Sequence, residues 1–325
     1  MSEPTPITLG GVQHARARLA PFLAPTPFRQ YPTFESVLPG IALYVKHENV
    51  QPTGSFKVRN GLSTLTALDE GQRTRGVVGA STGNHGLGLS YAGRQLGVGV
   101  TICVPVGNNP EKNAAMRAWG GTLVEEGADY DDAAAVAQRL VETRGLTLAH
   151  STNNVNVLTG AGTMTLEILE QCPDLDVLLI AVGGGSQAVG AITVARALRP
   201  DLRIIGVQAE GAPAFYDSWL AREPRTTSRV NTIAEGVATR QTYALTFSAL
   251  LGGLADVVTV SDAEIAEAVR LILSATHHLV EGAGAMGIAA AIELRDQLRG
   301  QNVGVVFCGG NMDTGMLRRI LNREL

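Results

Sequence analysis

Short β-prone runs alternate with longer helical patterns almost from end to end of this chain, and that alternation leaves few folds open. Residues 76–80 read as a strand before a helix near 85–97, and Val100-Thr101-Ile102-Cys103-Val104 as a strand before a helix at 111–119. Thr122-Leu123-Val124 precedes a helix near 131–144, and the pattern resumes with Thr147-Leu148-Ala149 and strands at 177–182, 203–208, 257–260 and 303–307. Strands joined through helices pair in parallel, and parallel sheets must be covered on both faces. The expected fold is therefore α/β, with parallel sheets and helices on both sides. A chain of 325 residues is long enough for one large or two medium domains of this kind. Its 38 glycines suit many tight turns from strand into helix. The most loop-like and polar stretch is 221–230, which contains Arg222-Glu223-Pro224-Arg225-Thr226-Thr227-Ser228.

Several function classes are set aside by charge and spacing. The net charge is −4 from 26 basic and 30 acidic residues with no long run of either sign, so no basic stripe for nucleic acid exists. No apolar run approaches a membrane span, and Met1-Ser2-Glu3-Pro4-Thr5-Pro6 lacks the basic start and apolar core of a signal peptide. Cys103, Cys172 and Cys308 lie far apart with no CxxC pair, which argues against a disulfide framework or structural zinc. His277-His278 has no further ligand at metal spacing and reads as structural. The expectation is a soluble cytoplasmic protein that holds a small ligand through local dipoles, without metal, nucleic acid or membrane.

One lysine stands out. Gln51-Pro52-Thr53-Gly54-Ser55-Phe56-Lys57 follows the strand-like Ala42-Leu43-Tyr44-Val45-Lys46, so Lys57 would begin a helix at the mouth of a sheet. Loss of hydration there frees its amine as a nucleophile toward carbonyls. Taken alone, a surface lysine at a helix start explains the residue better. The glycine turns alter that balance. Ser81-Thr82-Gly83-Asn84-His85-Gly86 follows a strand and can nest an anion at a helix N-terminus, though an ordinary N-cap turn accounts for it equally well. Gly183-Gly184-Gly185-Ser186-Gln187-Ala188 brings backbone donors and a helix dipole to bear on a phosphate, and also fits the loose G-x-G-x-x-A dinucleotide fingerprint. Phe307-Cys308-Gly309-Gly310-Asn311 offers a thiol beside a turn; by itself Cys308 reads as a small buried hydrophobe. Glu235-Gly236-Val237-Ala238 and Glu281-Gly282-Ala283-Gly284-Ala285 each carry one acid, and each acid reads as a solvated loop charge.

In this order the motifs resemble the fold-type II pyridoxal-phosphate enzymes, in the serine/threonine dehydratase and serine racemase branch, over nearly the whole chain. The most specific piece is Glu48-Asn49-Val50-Gln51-Pro52-Thr53-Gly54-Ser55-Phe56-Lys57. The resemblance implies two α/β domains like those of the tryptophan synthase β subunit: 1–44 with 150–325 as the larger, pyridoxal-phosphate-binding domain, and 45–149 as the smaller. It implies that Lys57 forms the Schiff base with pyridoxal 5'-phosphate and removes the Cα proton, and that Phe56 stacks on the ring. Asn84 would bond the ring hydroxyl, Gly183, Gly184, Gly185 and Ser186 would cradle the phosphate, Gly236 would line the ring, and Cys308 would sit beside its nitrogen. Ser81, Thr82, Gly83 and His85 would hold the substrate carboxylate.

The implied activity is that of an ammonia-lyase, or dehydratase. It would convert β-hydroxy-L-amino acids such as threonine, serine or a bulkier one like phenylserine into a 2-keto acid and ammonia. The implied assembly is a homodimer or homotetramer. Departures from the family pattern sharpen these expectations. Ser186 replaces a fourth glycine. Thr82 stands where serine racemase has its second base, and its restricted hydroxyl disfavours racemisation. Gln208 takes the place of the first carboxylate of the family's metal site, with Glu210 near enough to substitute. His150-Ser151-Thr152-Asn153-Asn154 replaces a proline and acidic segment near the substrate, which points to a larger β-substituent. A racemase or β-replacement synthase on the same fold is the alternative. A nicotinamide-dependent oxidoreductase is more distant, since it leaves Lys57 and the 81–85 loop without a task.

Overall fold

Strand segments such as Val77–Ala80 and Val177–Ala181 carry apolar or small residues at every position, and almost all of these are buried. A strand buried on both faces needs helices on both. The computed structural model describes residues 5–325, so the 1–4 part of the N-terminal reading lies outside the described residues. Ten strands are seen among those residues: β1 Phe28–Gln30, β2 Ala42–Lys46, β3 Val77–Ala80, β4 Val100–Val104, β5 Thr122–Glu125, β6 Thr147–Leu148, β7 Val177–Ala181, β8 Arg203–Ala209, β9 Asp256–Val260 and β10 Asn302–Val306. They form a six-stranded sheet in the order β1-β2-β10-β7-β8-β9 and a four-stranded sheet in the order β5-β4-β3-β6.

All pairings between these ten strands are parallel except one. β1 runs antiparallel to β2, with Phe28 opposite Lys46. This edge strand has three residues and only one buried side chain, so it carries no apolar run that patterning could reveal. The expected boundary at residue 45 falls inside β2, which pairs with β10 through Lys46 and belongs wholly to the larger sheet.

Parallel registry gathers the functional turns. β2, β10 and β7 pair side by side, with Val306 opposite Lys46 and Val303 opposite Val177, so their carboxyl ends share one rim. From that rim the chain enters the Lys57–Thr66 helix, the Cys308–Asn311 turn and the Gly183–Gly185 turn. β3 delivers the Ser81–Gly83 turn at the carboxyl rim of the smaller sheet. Ligands in open parallel sheets collect at such rims.

The Lys57–Thr66 helix joins the two halves. Val58, Leu62 and Leu65 pack in the smaller core with Leu89 and Ile102, whereas Phe56 just before them packs in the larger core with Leu158 and Phe307. It crosses the Asn84–Leu96 helix with almost no space between backbones. A Cβ on Gly61 would lie 2.3 Å from the Gly88 carbonyl oxygen, and one on Gly88 would lie 2.3 Å from the Lys57 carbonyl oxygen. Lys57 and Asn84 are thereby held at a fixed separation. No helix among the described residues is long and apolar enough to cross a membrane.

Candidate active site

Lys57 opens its helix, and the chain before it is fastened to the loop after β10. Phe56 N donates to the Cys308 carbonyl at 3.0 Å, Ser55 bridges to Gly309, and Gly310 N donates to the Gly54 carbonyl at 2.8 Å. The amine sits over the Phe56 ring, 4.8 Å from its centroid. Burial pushes its pKa down from 10.5 to about 8, against the opposing pull of Cys308 and Glu281. It lies in a cleft of about 740 Å³ between the two sheets.

Each site residue singled out from the sequence lines this one cleft: Phe56 and Lys57, Ser81 to His85, Gly183 to Ser186, Gly236 and Cys308. Their surroundings differ from the simple assignments. Ser81 Oγ accepts from Gly83 N at 3.2 Å and Gly86 N at 2.9 Å, so it caps the Asn84–Leu96 helix. His85 is 4% exposed and bonded through Nε2 to the Ala149 carbonyl at 2.8 Å. Burial, with Lys57 adding, pushes its pKa down to about 3. A neutral ring that donates from Nε2 leaves Nδ1 as an acceptor, and that atom is buried without a partner. The side chain therefore has no donor for a carboxylate; the backbone N–H groups of the helix start are the donors available there. Thr82 is exposed at the cleft edge.

The glycine turn after β7 is shaped by its neighbours. A Cβ on Gly183 would meet Val237 Cα at 2.8 Å, and one on Gly184 would meet Thr152 Oγ1 at 2.1 Å. Gly185, at φ +93°, caps the Ser186–Leu198 helix without a side-chain hydrogen bond. Thr246 Oγ1 pins the turn by donating to the Gly184 carbonyl at 2.9 Å. The first N–H groups of that helix lack intrahelical acceptors and open on the cleft, an arrangement suited to phosphate.

The two loop acids separate. Glu235 is exposed and paired with Lys112, in keeping with a solvated charge. Glu281 is not solvated in that way: it reaches the cleft floor, where its Oε1 accepts from Asn84 Nδ2 at 2.7 Å. Burial raises its pKa, and Glu235 adds to the rise, while Lys112 and Asn84 oppose it. Asn84 Oδ1 in turn accepts from Asn311 Nδ2 at 2.7 Å. The amide of Asn84 is thus fixed, with one Nδ2 proton left for a ring hydroxyl. Gln187 also lines the cleft, with no prior signal in the sequence beyond its place after the glycines. Gln208 is buried and accepts from Tyr216 N at 2.6 Å. Among the described residues no group of three or more His, Cys, Asp or Glu could hold a metal ion.

The mouth of the cleft is crossed by ion pairs between the two sheets' loops. Lys112 meets Glu235, and Arg240 meets Asp129 at 3.1 Å and Asp131 at 3.2 Å. Tyr130, Ser151 and Tyr243 form a wall inside, with Tyr130 Oη 3.3 Å from Ser151 Oγ.

Residues 19–309 match a family model described as pyridoxal-phosphate dependent enzyme. The chain is 34% identical over 319 residues to an L-threonine ammonia-lyase of Thermotoga maritima, covering 98% of this chain and 79% of that protein. It is 36% identical over 299 residues to an L-threo-3-hydroxyaspartate ammonia-lyase of a Pseudomonas species, covering 92% and 93%. The solved structure of maize serine racemase superposes with a TM-score of 0.92 at 29% identity, covering 98% of this chain and 97% of that one.

Proposed function

The chain belongs to the pyridoxal-phosphate dependent enzymes, and on that footing we propose that it is an ammonia-lyase of β-hydroxy-L-amino acids. The observation that carries this reading is Lys57: a desolvated amine with a pKa of about 8, set in one cleft with two helix N-termini. At pH 7 about one such amine in ten is neutral, against about one in a few thousand for an ordinary lysine. The cleft fits the cofactor on its own chemistry. It offers an amine for an aldehyde, open N–H groups after Gly185 for a phosphate, and a fixed Asn84 amide for a ring hydroxyl.

Bound pyridoxal phosphate supplies a sink for the charge left when a proton leaves Cα. The chain's own groups do the rest. N–H donors at the start of the Asn84–Leu96 helix hold the substrate carboxylate, and Lys57 Nζ takes the Cα proton as general base. His85, whose basicity burial lowers to a pKa of about 3, is too weak a base to compete for that proton. The β-hydroxyl takes up one proton, matching the one Lys57 removed from Cα, and departs as water; the released enamine then consumes one water as it hydrolyses to a 2-keto acid and ammonia. Thr82 stands exposed rather than buried opposite the lysine, which favours elimination over racemisation.

The wall of Tyr130, Ser151 and Tyr243, with a cleft of about 740 Å³, supports a β-substituent larger than methyl, phenylserine being the example. The same reading has a smaller domain centred on β3 to β6 that closes on a larger one, in an oligomeric enzyme. Three buried cysteines without a disulfide support a reducing, cytoplasmic setting. The test is release of keto acid and ammonia from L-serine, L-threonine, β-phenylserine and L-threo-3-hydroxyaspartate. Turnover of at least one supports the reading, with the largest rate naming the β-substituent. Silence on all four, with D-serine formed from L-serine instead, would transfer the assignment to a racemase.

A further inference from the structure

Lys112 lies in the first turn of the Pro110–Ala118 helix, which follows β4. Asn109 caps that turn by accepting from Glu111 N at 2.9 Å and Lys112 N at 3.2 Å. The lysine side chain lines the cleft and is only 14% exposed. It passes directly against Gly83: a Cβ there would sit 3.3 Å from Lys112 Cδ and 3.9 Å from Nζ. Gly83 is the N-cap of the Asn84–Leu96 helix, so the ammonium stands at the start of a second helix. It also faces the cleft floor, where burial raises the Glu281 carboxyl and Lys112 is the chief group drawing it back.

A cation is disfavoured at a helix N-terminus, where the first N–H groups already present partial positive charge. Lys112 belongs to one such end and lies against another. Lysines in a first turn ordinarily carry the ammonium out to water; this one is turned inward. The anion that offsets it is Glu235, which reaches across from the loops of the larger sheet and is 56% exposed. An ion pair with so open a partner is weak and exchanges readily. Asn84 and His85 open the second helix, and their N–H groups have no intrahelical acceptor. The spot is therefore positive, partly dry and matched to an anion, and the anion it holds is easily displaced.

We propose that Lys112 is a substrate-binding residue: its ammonium leaves Glu235 for the α-carboxylate of the incoming amino acid and holds it together with the N–H groups that begin the Asn84–Leu96 helix. This rests on the reading of the protein as an enzyme acting on amino acids. Glu235 then serves as the stand-in carboxylate before substrate arrives, and competes with it. One ion pair is broken and one is made, and the new one is further from water. No proton transfer at Cα falls to Lys112, so its loss acts on binding more than on turnover.

The test titrates the holoenzyme with propanoate by calorimetry, which needs no turnover, and with propanamide as the uncharged control. Lys112→Met is expected to weaken propanoate about tenfold or more, as loss of a charge-assisted hydrogen bond does, and to leave propanamide unchanged. Glu235→Gln, which removes the competitor, is expected to tighten propanoate by up to about fivefold. KM for the amino acid should follow the same two signs, with kcat changing less. The opposite signs are what a mere tie between the two loops would not give, since both variants break the tie. Equal signs, or propanoate affinity within twofold of wild type in Lys112→Met, overturn the proposal. Wild type that binds propanoate no better than propanamide overturns it too. Should Lys112→Met not retain cofactor, Lys112→Gln takes the same measurement, and weakening of propanoate by Glu235→Gln is by itself enough to overturn it. Opposite signs in a protein that turns over no amino acid support Lys112 as the carboxylate holder and overturn the ammonia-lyase reading instead.

Discussion

Asn84 donates its Nδ2–H to the carboxylate of Glu281 at 2.7 Å, linking residues 197 positions apart on the floor of the cleft. Asn84 comes from the helix after β3 and Glu281 from the start of the Gly282–Glu293 helix, so the bond also joins the two sheets' territories. With Asn311 on its oxygen, the Asn84 amide cannot flip without losing both partners.

Glu281 titrates against the fold. Its folded pKa lies above the ordinary value, chiefly through burial. The folded state therefore holds this proton more tightly than the unfolded chain, and stability falls as pH rises through the folded value. Glu281→Gln should match the wild-type apo-protein in acid below the usual carboxylate range, and gain on it toward neutrality. Denaturant midpoints across pH check this; a constant difference would contradict it. Glu281→Ala, which leaves Asn84 Nδ2 unpaired, should weaken cofactor binding.

Lys57 has the opposite sign. Its folded pKa of about 8 lies below the unfolded 10.5, so between those values the unfolded chain binds more protons and stability rises with pH. Lys57→Met apo-protein should be more stable than wild type at pH 7 by about 2–3 kcal/mol, allowing for the part of the amine open to the cleft. The advantage should vanish above pH 10.5. Lys57→Ala should fold and show no turnover.

The lysine and the glycine turns were legible in the sequence because strand, turn and helix carry strong local signals, and parallel order puts such turns at one rim. The depth of Glu281 was not, since a glutamate between small residues looks the same whether its loop faces water or the cleft. The edge strand β1 was hidden by its brevity. Ser81 and His85 line the same cleft as Lys57, as their motif suggested, but which of their atoms remain free depends on Gly83, Gly86 and Ala149, and the motif does not contain that information. The buried charges of Glu48 and Arg59 stand inside the most recognisable stretch, yet only the fold reveals that neither meets water.

Those charges bear on the lysine directly. Arg59 Nε and Nη2 donate to Glu48 at 2.8 and 2.9 Å, and Nη1 donates to Glu167 at 2.6 Å, with Lys46 on the same Glu167 at 2.7 Å. Arg59 and Lys57 share one helix, so the network anchors the reactive amine to β2 and to the Val155–Gln171 helix. Removing one partner of a buried pair costs about 3–5 kcal/mol. Glu48→Ala should lower stability by that amount and, in protein that still folds, lower cofactor affinity. Thermal unfolding within about 1 kcal/mol of wild type would contradict it.

Gly183→Ala tests the phosphate turn. The new methyl would meet the Val237 backbone at 2.8 Å, which cannot yield by a side-chain rotation. An overpacking cost of about 1–3 kcal/mol borne by the turn in its cofactor-holding shape corresponds to a loss of about fivefold to 150-fold in cofactor affinity. Equilibrium titration of apo-protein with pyridoxal phosphate reads this, and unchanged affinity would remove the turn from the phosphate site.

The most direct measurement is borohydride reduction of the cofactor-loaded protein followed by mass mapping of its peptides. The account predicts loss of the yellow absorbance and one stable pyridoxyl group on the peptide containing Lys57. A protein that binds pyridoxal phosphate but carries the group on another lysine, or on none, would contradict it.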